Sequence, residues 1–426
     1  MRRVLLVASL LLAAASVRAQ FVQYSAPGSL GGETVTTKEQ LESTMERAPW
    51  DLGPLRIGPW FELRDVSWVQ ELEDTGEDGD DFDLTATASA GLHAYLPFSR
   101  KLTLGAYWLP EYVWWQDNDE RSLWNWRTGA GLFGYFNRLT IEARYVDERQ
   151  QQYLSSEFEQ LVNVSRTGPQ AALDIEFLRR LHLFGSYTMD EYRQREEDLP
   201  GEAGAALLEL DRDEEIITAG LRYTPSETVS IGAGYKWLAT EFVDPEDDRS
   251  NDGGGPTVVV GLKSKRMRFD TSVTWMELDP RDPESSMVGF DELSGDAVLA
   301  WEPGARLELQ LYGFQRPTYS VIDISPYYLT ERYGLAVALP LGRLFSTRVY
   351  WEEGQDVYSE VAGVREERQD DVSTLGLDLD MPLGRGISFH IAGATTDYSS
   401  SEPGADRTVK RLQLSVRLAG PGSGWW

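Results

Sequence analysis

Between residues 56 and 419 apolar and polar side chains alternate one for one in run after run. In RLQLSVRL, Leu412, Leu414, Val416 and Leu418 fall on one side, with Arg411, Gln413, Ser415 and Arg417 on the other. TVSIGAGYKW sets Val229, Ile231, Ala233, Tyr235 and Trp237 against Ser230, Gly232, Gly234 and Lys236. A period of two marks a strand with one apolar and one polar face. About eighteen such runs occur, starting near residues 56, 83, 101, 124, 138, 164, 180, 212, 227, 255, 266, 290, 305, 326, 343, 367, 386 and 407. Most are longer than the roughly five or six residues of a globular strand.

The connections alternate between short and long. Short ones carry Pro, Gly or Arg, as in the two copies of PLGR around Gly342 and Gly384. Long ones are acidic: ELEDTGEDGDD, QDNDER, DPEDDRSNDGGG, DPRDPESS. Aromatic residues crowd the strand ends, where Trp and Tyr favour the headgroup level of a bilayer. Trp108, Trp114, Trp124, Trp126, Tyr135 and Phe136 are the expected membrane-interface aromatics. Together these features predict an all-β fold, a transmembrane antiparallel β-barrel of about 18 strands, with short periplasmic turns and long acidic external loops. A soluble sandwich would share the alternation but not the strand length, the charges in mid-strand or the aromatic rims.

Composition narrows the compartment. Residues 1–19 read as a signal peptide: Arg2 and Arg3, then an apolar stretch, then Val17 and Ala19 before the cleavage site. Cys is absent, so neither disulfide nor thiolate site exists. The net charge is −29, and −32 once Arg2, Arg3 and Arg18 leave with the signal, which disfavours nucleic acid as a partner. Residues 20–55 form a periplasmic N-terminal segment with a short helix, TKEQLESTMER, opened by the Thr37/Gln40 capping pair and stopped before Pro49. It reads equally as a handle, a partial plug of the lumen or a disordered lead. The barrel is expected over 56–419 and a tail over 420–426; the expected residence is the bacterial outer membrane, both termini periplasmic.

No catalytic, cofactor or metal motif is legible: G-x-S-x-G, H-E-x-x-H and a phosphate loop are all missing. The chain reads as a non-enzyme without cofactors. The run Glu73 to Asp83 lacks the spacing of a calcium loop and is expected to be a hydrated external loop. On the polar faces, Glu62, Arg64, Glu142, Arg144, Arg222, Lys236, Glu308, Arg348, Asp378, Asp380, Arg411 and Arg417 are the expected lumen-facing charges. Their interspersed signs suit cross-strand pairing better than a selectivity ring.

One stretch, GPLRIGPWFELRDVSWV (residues 53–69), resembles the opening of the outer-membrane β-barrel family associated with capsule and exopolysaccharide export. Leu55, Arg56, Ile57, Gly58, Pro59 and Trp60 carry the match. The Asp-Asn of that family is missing; only Asp65 is present. The resemblance implies a conduit for polysaccharide secretion working with periplasmic export proteins, and it transfers no functional residue. The alternatives are a porin for small polar solutes and a structural or adhesive surface barrel. Expected partners are outer-membrane lipids, the barrel-assembly machinery, and the polysaccharide or solute.

Overall fold

Strands that are apolar on one side need an apolar medium on that side only, and closing the sheet on itself removes its edges. The computed structural model takes this form. It describes residues 37–418 apart from 71–81, 118, 154–155, 158–160, 195–207, 245–246, 283–284, 286–288, 305, 321–324, 343–344, 360–367 and 385–386. The expected signal peptide, the C-terminal tail and most of the acidic run from Glu73 lie outside the described residues.

A helix, α1 (Thr37–Arg47), and a short strand, β1 (Trp50–Leu52), precede the wall. The first half of the wall is β2 (Leu55–Gln70), β3 (Phe82–Ser99), β4 (Leu102–Trp115), β5 (Leu123–Tyr135), β6 (Leu139–Tyr153), β7 (Leu161–Leu178), β8 (Leu181–Arg193), β9 (Arg212–Ser226) and β10 (Val229–Phe242). The second half is β11 (Asn251–Lys263), β12 (Met267–Pro280), β13 (Phe290–Gly304), β14 (Leu307–Tyr319), β15 (Tyr327–Leu341), β16 (Phe345–Tyr358), β17 (Gln369–Gly384), β18 (Ile387–Ser400) and β19 (Arg407–Leu418). Each strand from β2 to β19 pairs antiparallel with the next, and β19 returns to β2, giving a closed barrel of eighteen strands. Connections of two or three residues alternate with connections of six to eighteen, so the barrel has a turn end and a loop end. Gly342, with φ 77°, makes the first PLGR turn in a backbone conformation that disfavours a side chain.

Parity then divides inside from outside. On β4, Tyr107, Leu109, Glu111, Val113 and Trp115 point inward and are buried, while Leu104, Trp108, Tyr112 and Trp114 point outward. Trp108, Trp114 and Trp124 stand exposed on the outer surface, with Trp126 on the same side of β5 and Phe136 exposed beside its turn. Tyr135 is a correction: its hydroxyl donates to inward-facing Glu142 at 2.9 Å, so it belongs to the lumen wall and not to the membrane rim. Its odd position on β5, shared with Phe133 and Arg127, dictates this.

β11 starts at Asn251, four residues before the sequence pattern puts it, and its glycines pair as strand: Gly254 opposite Trp237 and Gly253 opposite Leu278. A Cβ on Gly255 would lie 1.5 Å from the Trp275 carbonyl oxygen, so this stretch of wall needs glycine for closeness. Gly255→Val is expected to cost about 1–3 kcal/mol by forcing β11 from β12, read as a lowered urea midpoint of the refolded barrel.

Three seams are incomplete at the loop end, β5 meeting β6 only as far as Trp126 opposite Arg149. β19 meets β2 only from Leu414 to Leu418, although both strands continue further toward the loops. β13 meets β14 only as far as Gly295 opposite Gln315.

Candidate functional site

The bore is obstructed at both mouths, by different elements. At the turn end, α1 presents Leu41, Thr44 and Met45, the one-face spacing of a helix, with Ala48 just beyond its end. Leu41 is 2 % exposed in a nest of inward-facing Trp60, Tyr95, Tyr107 and Phe133 from β2 to β5, with Met45 and Ala48 against the same cluster. Arg56 donates to the Met45 carbonyl at 3.4 Å, meeting the free carbonyls of the helix end. Glu39 extends the other way and pairs with Lys263 at 3.4 Å. Lys263 ends β11, nine strands from β2 on an eighteen-strand wall, so α1 bridges the mouth. Of the three readings of this segment, the helix therefore matches the partial plug.

At the loop end a strap reaches residues on the far side of the opening. It comes from the connection between β6 and β7, whose described residues are Ser156 and Glu157. The Ser156 hydroxyl donates to Asp356 at 2.8 Å and lies 3.2 Å from the Tyr328 hydroxyl. Arg407 donates to the Ser156 carbonyl at 2.5 Å, and Ser320 donates to Glu157 at 2.6 Å. Tyr328 is on β15 and Asp356 on β16, each nine strands round from β6 and β7, so the tip of the β6–β7 hairpin meets strands of the opposite side of the wall. Ser156 is buried where it lands.

Between the two mouths the wall is lined with paired charges. Glu111, fully buried, accepts from Arg64 at 2.7 Å and from Arg127 Nε at 2.7 Å. Glu62 lies 3.7 Å from Arg127, and Arg64 also pairs with Asp65. Further round, Arg166 pairs with Asp190 at 2.8 Å, Arg212 with Glu214 at 2.7 Å, Arg332 with Asp356 at 2.9 Å and Arg368 with Asp370 at 2.7 Å. These sit toward the loop end and are mostly buried. Toward the turn end the groups are more open: Arg222 with Asp174, Arg348 with Asp378 at 3.1 Å, and His390 with Asp380 at 2.8 Å.

Of the charges expected to face the lumen, Glu62, Arg64, Glu142, Arg144, Arg222, Lys236, Glu308, Arg348, Asp378, Asp380 and Arg411 occupy inward strand positions. The side chain of Arg417 lies outside the described residues. Glu111, Arg127, Asp190, Glu214, Arg332 and Asp356 escape a reading of mid-strand charges. They flank the loops, and beside Asp190, Glu214, Arg332 and Asp356 the outward residues include Glu191, Asp213, Glu215, Glu331 and Gln355, so the alternation fades. Extending the parity of each strand centre by four residues would have found them.

His182 lies between Asp174 (Nδ1, 2.8 Å) and Thr224 (Nε2, 3.0 Å), the order of a hydrolase triad. The resemblance ends there. Asp174 is also held by Arg222, and the single proton of the Thr224 hydroxyl has the Arg180 carbonyl at 3.3 Å as a second acceptor. The trio fastens β7, β8 and β9 together. The acidic connection after β10 is likewise internally satisfied where it is described: Asp247 takes Arg249 on both oxygens, at 2.9 and 2.5 Å.

No family model and no curated protein matches this chain. Among solved structures it is similar to OccAB3 of Acinetobacter baumannii, with 12% identity, 85% of this chain and 98% of that chain covered, and a TM-score of 0.51. It is also similar to OpdL of Pseudomonas aeruginosa, with 12% identity, 85% and 98% covered, and a TM-score of 0.48. A bacterial polysaccharide outer membrane secretin aligns over 87% of this chain and 99% of its own, with 11% identity and a TM-score of 0.37. The likeness to OccAB3 shows the fold, an outer-membrane β-barrel.

Proposed function

We propose that this chain is an outer-membrane porin for small polar solutes, its bore held narrow at both mouths. The strap from Ser156 to Tyr328 and Asp356 carries this reading. An eighteen-strand barrel is wide enough for an aqueous channel. The contact of Ser156 with the opposite strands narrows that width at the loop end, leaving passage for small hydrated molecules between charged walls. A polysaccharide would have to displace the strap and α1 together, so of the two conduits expected from the sequence the solute channel is favoured. In this reading the loop end faces outward, and the turn end, with α1 and both termini, faces the periplasm.

Planar-bilayer recording and vesicle swelling test it on the intact chain. Discrete small current steps, with swelling in a monosaccharide and none in a dextran, are expected. Dextran entry would return the polymer conduit to first place, and silence in both assays would leave a structural barrel.

A further inference from the structure

Charge is shared unevenly between the two ends of the barrel. Seven of the eight short connections carry Arg or Lys: two each after β3, β7 and β11, and one each after β5, β13, β15 and β17. Against these ten stands a single acid, Glu227. The whole chain has 69 acidic residues and 40 basic ones, so composition alone would make these turns acidic. The long connections at the other end are acidic, as in DPEDDRSNDGGG.

The turn charges stand clear of the wall. Arg100, Arg138, Arg179, Lys265, Arg266 and Arg306 are exposed, and among the described residues none of them is in an ion pair. The nearby wall carboxylates are engaged elsewhere: Asp174 holds Arg222 and His182, and Glu176 accepts from the Arg180 backbone N–H at 3.2 Å. Arg180 has φ 72°, the left-handed region where glycine is the unstrained choice, yet the position carries a guanidinium. In the first PLGR turn the two demands are separated, with Gly342 in the left-handed conformation and Arg343 directly after it.

The same turns border the apolar belt. Phe98, Phe136, Phe177 and Met267 are exposed, each one or two residues from a turn charge. At about 3.3 Å per residue, that places the charges just past the hydrocarbon, at headgroup depth. Long basic side chains keep their stems on apolar surface and their charges in the polar layer. Neighbouring turns lie two strands, roughly 10 Å, apart, so the charges encircle the rim. A lipid annulus meets such a rim on every side, whereas a protein partner would cover one side or the mouth.

We propose that the turn end is a docking ring for anionic phospholipids. Exposed Arg and Lys of the short turns bind their phosphates, while the acyl chains lie against the belt beside Phe98, Phe136 and Phe177. A lipid with a choline headgroup brings its own cation and gains less from the ring. The inference rests on the membrane barrel and stands whatever the bore passes.

Phosphatidylglycerol and phosphatidylcholine, spin-labelled at the same position of one acyl chain, are the probes. The full chain is placed in dioleoylphosphatidylcholine vesicles, and the immobilised fraction of each probe is read from its electron spin resonance spectrum. At low ionic strength phosphatidylglycerol is expected to associate about twofold or more strongly than phosphatidylcholine. The variant Arg100→Gln/Arg138→Gln/Arg179→Gln/Lys265→Gln/Arg306→Gln should bring the two lipids to equality. In 1 M NaCl, where screening acts over about 3 Å, the unaltered chain should lose its preference as well. Inorganic phosphate should lower the preference no further than NaCl of the same ionic strength. Equal association of the two lipids with the unaltered chain, or a preference that survives salt, overturns the proposal without recourse to the variant. A preference kept by the folded variant overturns it too, and displacement by phosphate beyond the chloride effect would make the ring a site for the free anion instead.

Discussion

In planar bilayers the double variant Leu41→Asp/Ser156→Asp carries at least tenfold more current than the intact chain, and neither single variant comes near it. Two constrictions in series add their resistances, so relieving one leaves the other in command. Each substitution is aimed at a docking contact outside the wall. Leu41 holds α1 in its aromatic nest with the burial of one side chain, about 1.5–3 kcal/mol. A carboxylate there would be buried without a partner, at a cost of several kcal/mol, which exceeds what docking gains. At the other mouth, Ser156→Asp would place a second carboxylate about 3 Å from Asp356, and like charges that close cannot both stay ionised. The strap lifts instead. Both new groups have raised pKa values when docked, so docking is restored as pH falls through them. Lowering the pH to about 4 should therefore reduce the double variant's current toward that of the intact chain. A current that stays high in acid would mean that the wall, and not the docking of α1 and the strap, had been damaged.

Glu111→Ala is expected to destabilise the barrel by about 3–5 kcal/mol, the usual loss when one partner is taken from a buried ion pair. Here one carboxylate serves two arginines, Arg64 and Arg127, on the inner faces of β2 and β5. Their removal from water has already been incurred, and Asp65 and Glu62 are left to balance both. Equilibrium unfolding in urea measures the loss. Glu111→Met/Arg127→Met removes the charge together with its partner, leaving Arg64 to Asp65, and more than half of the lost stability should return. If the pair of methionines is as damaging as alanine alone, shape and not charge governs this part of the wall.

The wall was open to reading from the sequence because lipid imposes a rule on every second residue. All eighteen strands lie within a few residues of the alternating runs, from β2 at Leu55 to β19 at Leu418. Where the rule lapses, so does the legibility. β6 continues through Gln150 and Gln152, opposite Val164 and Val162, because above the apolar belt both faces can be polar and no alternation is required. Tyr135 has the composition of a rim residue and the parity of a lumen residue, and parity decides. The helix α1 was announced by its capping pair, but where it and the strap dock left no periodic signal. They depend on single contacts between segments remote in sequence, such as Ser156 with Asp356, and nothing local to either residue announces the other.

Those remote contacts also fix an order of events. Ser156 meets partners 172, 200 and 251 positions further along the chain, at Tyr328, Asp356 and Arg407. None of these has a settled place until β15, β16 and β19 have joined the growing sheet. Glu39 must likewise wait for Lys263, 224 positions away. Closing such long loops is slow in comparison with zipping one strand onto its neighbour. During assembly the barrel passes through a stage in which its wall is largely built, the loop mouth is not barred and α1 lacks its anchor on Lys263. The molecule makes its passage before it acquires the means to restrict it, and an insertion that stalls there leaves a leak in the membrane.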